Sequence, residues 1–143
     1  MELKLSKNFT LQEFCKSSAA KKHGLNNVPN AEQISNLQAL CDNVLQPLRD
    51  GLGEPVIINS GFRCPALNII TGGVKNSQHM KGEAADINVK GSKKYARKII
   101  AYILENLVFD QLILERQGKA IWVHVSYSTK NNRMQYKEIT IKR

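Results

Sequence analysis

Apolar positions along the chain recur with two periods, and the change from one to the other marks the elements. Ile34, Leu37, Cys41, Val44, Leu45 and Leu48 fall at helical spacing, which puts them on one buried stripe. Asn30 and Gln33 supply the capping signal that opens this helix. Pro47 is expected to kink or end it near its last turn, and Gly51 and Gly53 to break it completely. A second stripe, Ala96, Ile99, Ile100, Ile103 and Leu107, predicts a helix from after Ser92 to about Asn106. Residues 8 to 17 predict a short helix entered through Thr10, with Glu13 three places on and Phe9 and Phe14 packed inward.

Elsewhere the period falls to two or the pattern breaks. The β-branched run at residues 55 to 60, PVIINS, predicts a buried strand, and EAADINV at 83 to 89 predicts the next. FDQLILE and IWVHVSY alternate on either side of RQGKA, whose Gly118 suits a hairpin, and residues 134 to 142 read as a final edge strand. Residues 18 to 29 turn small and polar, as a surface connection does. ALNIIT suits a helical turn or two before Gly72 and Gly73 open a loop leading to His79. The expectation is a single α+β domain over residues 1–143, with a small antiparallel sheet packed against helices.

Composition narrows the partners more than the fold. A chain of 143 residues with 42% hydrophobic and 23% charged content is that of an ordinary soluble globular protein. No run approaches the roughly 18 apolar residues of a membrane span, and the N-terminal MELKLSKNFTLQEF lacks an apolar signal region. Synthesis in the cytoplasm without a Sec signal is therefore expected. The formal charge of +9 favours polyanions, either nucleic acid or an anionic bacterial cell wall. No recognition helix, aromatic interleaving or zinc-finger spacing supports specific nucleic-acid binding. Cys15, Cys41 and Cys64 are odd in number without CxxC spacing, so reduced thiols are expected.

The candidate chemistry lies between residues 59 and 126. His79 and Asp86, with Gly82 between them, offer an imidazole nitrogen and a carboxylate oxygen, donors that suit zinc. Two side chains leave such a site unfinished. Of the remaining histidines, His23 sits in a polar connection beside Lys21, Lys22 and Gly24, whereas His124 lies in an alternating run that aims it at a fixed point. His124 is the better third ligand. Three protein ligands leave the fourth position open, the mark of a catalytic rather than a structural zinc. Glu115 is the candidate general base because the hairpin from its strand leads to His124, with Glu83 the weaker alternative. Gln78 and Trp122 are expected to line the cleft.

SGFR, SQHMKGEAADI and WVHVS, in that order, resemble the zinc D-alanyl-D-alanine carboxypeptidase family (peptidase M15). Its pattern is Ser-Gly-aromatic-Arg, Ser-x-His-x6-Asp and a late His on a strand, and it belongs with the lysostaphin-type peptidases and the hedgehog signalling domain. The resemblance covers about residues 8 to 127. It implies a Zn2+-dependent hydrolase acting on the D-amino-acid-containing stem peptides of peptidoglycan, as a carboxypeptidase or an endopeptidase. Arg63 then polarises the substrate carbonyl and stabilises the oxyanion, and Ser77 helps to hold the substrate. Many relatives carry an acid three places before the last His, where this chain has Ile121; the branch it most resembles places the acid at the end of the preceding strand, as Glu115 is placed. A monomer acting on the cell wall is expected, in lysis by a phage or prophage or in wall remodelling. The alternative is a non-catalytic zinc-containing wall-binding domain, since the hedgehog branch keeps the fold without hydrolysis.

Overall fold

In the computed structural model residues 3–142 are described; Met1, Glu2 and Arg143 lie outside the described residues. The chain opens with a ribbon of β1 (Lys4–Ser6) and β2 (Phe9–Thr10) and enters α1 (Leu11–Cys15) through Thr10, whose N–H donates to the Glu13 carboxylate at 2.9 Å. Phe9 and Phe14 are buried, with ring centroids 6.2 Å apart. The stretch after them is more ordered than its composition suggests. The Ser17 hydroxyl accepts from the Ala20 N–H and caps a second short helix, α2 (Ser18–Lys22), with Lys21 and Lys22 in its last turn. A good cap, two alanines and two cations at the negative helix end outweigh the polar composition.

The long helical stripe behaves differently around its proline. α3 (Ala31–Leu40) passes through a π turn (Cys41–Leu45) into α4 (Gln46–Leu52), so Pro47 does not end the helix. Proline has no N–H to donate, and the turn before it widens to i→i+5 spacing instead. Gly51 remains helical, and a Cβ there would stand 2.1 Å from the Tyr102 ring; Gly53, at φ 69°, terminates the helix. Leu37, Leu40, Cys41, Val44, Leu45 and Leu48 are all fully buried.

These helices and α6 (Lys93–Asn106) cover one face of a five-stranded sheet. The sheet is built from β3 (Ile57–Ser60), β4 (Ala84–Asn88), β5 (Gln111–Gln117), β6 (Ala120–Ser126) and β7 (Gln135–Thr140), in the order β3-β4-β6-β5-β7. All pairings are antiparallel except that of β7, which joins β5 in parallel. β3 is an edge strand and Ile57 is exposed, so this run is not buried on both faces as its apolar sequence predicts. The alternation of β4, β5 and β6 sends Ala85, Ile87, Leu112, Leu114, Val123 and Val125 into the core. Asp86, Ile113, Glu115, Trp122 and His124 therefore share the opposite face, the floor of a cleft. The helix α5 (Pro65–Ile70) and a 3-10 turn (Gln78–Lys81) carry the chain over that face.

Candidate metal centre and its cleft

Three donors converge at one end of this floor. Register pairs Asp86 on β4 with His124 on β6, and the His124 Nδ1 lies 3.1 Å from the Asp86 Oδ1. His79 reaches the same oxygen from the 3-10 turn, with its Nε2 at 3.3 Å. The three ligand atoms lie within 4.8 Å of one another, and all three residues are buried. The His79 Nδ1 stands 2.7 Å from the Gly61 carbonyl, which only accepts, so Nδ1 carries the proton and Nε2 presents a lone pair to the centre.

A divalent cation fits this donor set. Two imidazole nitrogens facing one buried carboxylate oxygen concentrate lone pairs that only protons or a metal ion can satisfy. Burial acts to raise the Asp86 pKa, yet the adjoining imidazoles, His79 first, outweigh it and hold the carboxyl well below the usual range. The other oxygen, Oδ2, faces the Arg63 Nη2 at 3.4 Å. One carboxylate thus serves the centre with one oxygen and an arginine with the other. Two nitrogens and one oxygen, with a fourth side open to the cleft, form a set that zinc takes.

Local sequence explains how these residues meet. The Phe62 N–H donates to the Phe14 carbonyl at 2.7 Å and the Arg63 N–H to the His79 carbonyl at 3.1 Å, tying the SGFR segment to α1 and to the 3-10 turn. Gly61 permits that approach, because a Cβ there would stand 2.7 Å from Phe14. The Ser77 hydroxyl accepts from the His79 N–H and caps the 3-10 turn. Gly82 ends the turn at φ 74°, and a Cβ there would stand 2.3 Å from the Gln33 carbonyl oxygen.

The remaining candidate residues line a cleft of about 580 Å³ that also contains His79, Asp86 and His124. Arg63 is fixed by three contacts: Nε donates to the Ser60 hydroxyl, Nη1 to the Asn68 amide oxygen and Nη2 to Asp86. Of its five N–H groups, two remain uncommitted by these contacts. The Glu115 Oε1 lies 3.8 Å from the His124 Nδ1, and burial, then the Asp86 charge, raise its pKa while the two imidazoles act to lower it. Trp122 is paired in register with Glu115, and its buried indole N–H makes no hydrogen bond of ordinary geometry but lies near enough to the Glu115 carboxylate to act, after the two imidazoles, to lower its pKa. Ser77 and Gln78 also line the cleft. Glu83 lines the adjoining cavity and accepts from the Gln78 amide at 3.3 Å.

Three buried residues that hold the site have no motif of their own. Asn27 donates to the Cys15 and Phe62 carbonyls and accepts from the Cys64 N–H. Asn68 accepts from Arg63 and donates to the Val74 carbonyl at 2.8 Å, and a Cβ on Gly73 would displace it. Asp110 accepts from the Gln78 amide and from the Arg133 backbone N–H, Nε and Nη2. The one sequence signal for Asp110 is an acid directly after the buried Phe109 and before an apolar strand.

A family model described as Peptidase M15 matches residues 7–126. A zinc D-Ala-D-Ala carboxypeptidase from Streptomyces albus G is 46% identical over 44 residues, a stretch covering 30% of this chain and 17% of that relative.

Proposed function

The chain belongs to the peptidase M15 family, and from that premise we propose that it is a zinc-dependent peptidase hydrolysing D-amino-acid-containing peptide bonds of bacterial peptidoglycan, in wall lysis or remodelling. The observation that carries this reading is the convergence of the His79 Nε2, the Asp86 Oδ1 and the His124 Nδ1 at one end of a cleft that also holds Glu115 and Arg63. The name of the Streptomyces albus G relative supports the metal and the substrate class.

His79, Asp86 and His124 would hold the ion. The chemistry zinc supplies when bound is Lewis acidity, which polarises a carbonyl and makes water a better acid near neutral pH. Glu115 takes a proton from the attacking water at Oε1 and returns it to the leaving amine. Its raised pKa suits both halves of that transfer, since a base must also be able to give the proton back. The two uncommitted N–H groups of Arg63 donate to the carbonyl oxygen as negative charge develops, and its three fixed contacts remove the cost of orienting it at that moment. Gly61 holds the His79 ring in the tautomer required. Ser77 supports His79 through its cap and contributes to the cleft wall beside Gln78 and Trp122.

Glu115 and Arg63 favour this reading over a wall-binding domain without hydrolysis, because a binder has no use for a partly buried acid beside the metal ligands. The test is metal analysis of the purified protein with mass spectrometry of a muropeptide digest. One zinc per chain, lost in His124→Ala, with stem peptides cut at an amide bond supports the proposal. Equal zinc in wild type and His124→Ala, or intact muropeptides at full zinc occupancy, contradicts it.

A further inference from the structure

The cleft floor extends past the metal centre onto β7, beyond the residues matched by the family model. Register runs Asp86 to His124, His124 to Ile113 and Ile113 to Lys137, so four strands carry these side chains in one row. The next row runs Trp122, Glu115, Ile139. β7 and the residue that follows it therefore add an apolar strip, Ile139 and Ile141, and a lysine to the wall of the cleft. Lys137 is exposed and has no ion pair among the described residues. Arg133 also lines the cleft, but Asp110 holds it through Nε and Nη2, away from the row of Lys137. Ile113 separates Lys137 from His124 in the row, and Arg133 is paired with Asp110, so neither cation compensates Asp86, which Arg63 already meets.

We infer that Lys137 forms a subsite for a carboxylate of the peptide being cleaved. The inference rests on the peptidase reading above and adds the substrate feature that this chain selects. Two strand spacings of about 4.8 Å separate His124 from Lys137, the reach of roughly two to three extended residues. The carboxylate recognised thus lies about two residues from the scissile amide, with an intervening small apolar side chain over Ile113 and Ile139. A free chain terminus and an internal acidic residue share this chemistry.

The experiment uses synthetic peptides carrying a D-alanyl bond and a carboxylate two residues away, supplied by the terminus in one set and by an internal acid in the other. Each peptide is paired with its amide. The zinc-loaded protein is expected to prefer acid over amide on the order of tenfold in kcat/KM in one set, through KM; that set identifies the source. Lys137→Gln is expected to bring the ratio near one and Lys137→Glu to invert it, an inversion that a merely structural role of a lysine on the edge strand β7 does not produce. Equal cleavage of acid and amide by wild type overturns the inference while leaving the peptidase reading intact. If neither these peptides nor muropeptides are cleaved the peptidase reading fails, and the subsite is then judged by amide chemical shifts. Shifts on β5 and β7 with the acids and not the amides support it, and identical spectra overturn it.

Discussion

Asp86 carries the most constrained role of any single side chain, because one oxygen faces two imidazoles and the other faces Arg63. That His79, Asp86 and His124 meet was readable from the sequence for a statistical reason with a physical basis: the chain has three histidines, and only His124 lies on a strand that fixes its direction. Asn68 and Asp110 were not readable, because nothing local distinguishes a buried acid or amide whose partners lie on other segments. Arg63 offers the first prediction. Arg63→Ala is expected to keep the metal and to lose activity on the order of 10²-fold or more, as removal of an oxyanion donor does. Steady-state kinetics at equal zinc content measures it, and turnover near wild type leaves Arg63 with only its structural contacts.

At the level of elements, periodicity located the helices and strands that carry a buried stripe and failed where a cap or a proline decided the outcome. α2 forms on the Ser17 cap, and the helix crosses Pro47 through a widened turn. The element closest to the chemistry is the 3-10 turn, and its end depends on Gly82. Gly82→Ala places a methyl group 2.3 Å from the Gln33 carbonyl at a positive φ. It is expected to cost about 2 kcal/mol or more in urea unfolding and to weaken metal binding through displacement of His79. An unchanged midpoint with full zinc affinity contradicts that placement.

The connection between β6 and β7 hangs on Asp110. Arg133 holds the Asp110 pKa down to about 2, so the unfolded chain takes up that proton first as pH falls. Its contribution to stability is full above the ordinary carboxyl value and is lost as pH drops through about 2. Asp110→Asn is expected to cost about 1–3 kcal/mol at neutral pH and to flatten the acid limb of stability between about pH 4 and 2. Urea titrations across that range measure both effects.

For the whole molecule, the α+β class and the antiparallel centre of the sheet followed from strand order and hairpin spacing. The parallel attachment of β7 did not, since the choice of partner for an edge strand is made by tertiary contacts such as those of Asp110 with Arg133 and Gln135. The resulting molecule puts its apolar core on one sheet face and all of its candidate chemistry on the other. This division lets His79, Asp86 and His124 be buried while the cleft beside them stays open.

The central claim is that this open face hydrolyses a peptide bond with Glu115 as the proton acceptor. Glu115→Gln keeps the size and much of the hydrogen bonding of the side chain but removes that acceptor. The most direct measurement is the rate of muropeptide cleavage by wild type and by Glu115→Gln at matched zinc occupancy. The account predicts an unaltered fold and metal content with a loss of roughly 10²- to 10⁴-fold. Cleavage by Glu115→Gln at the wild-type rate would contradict it.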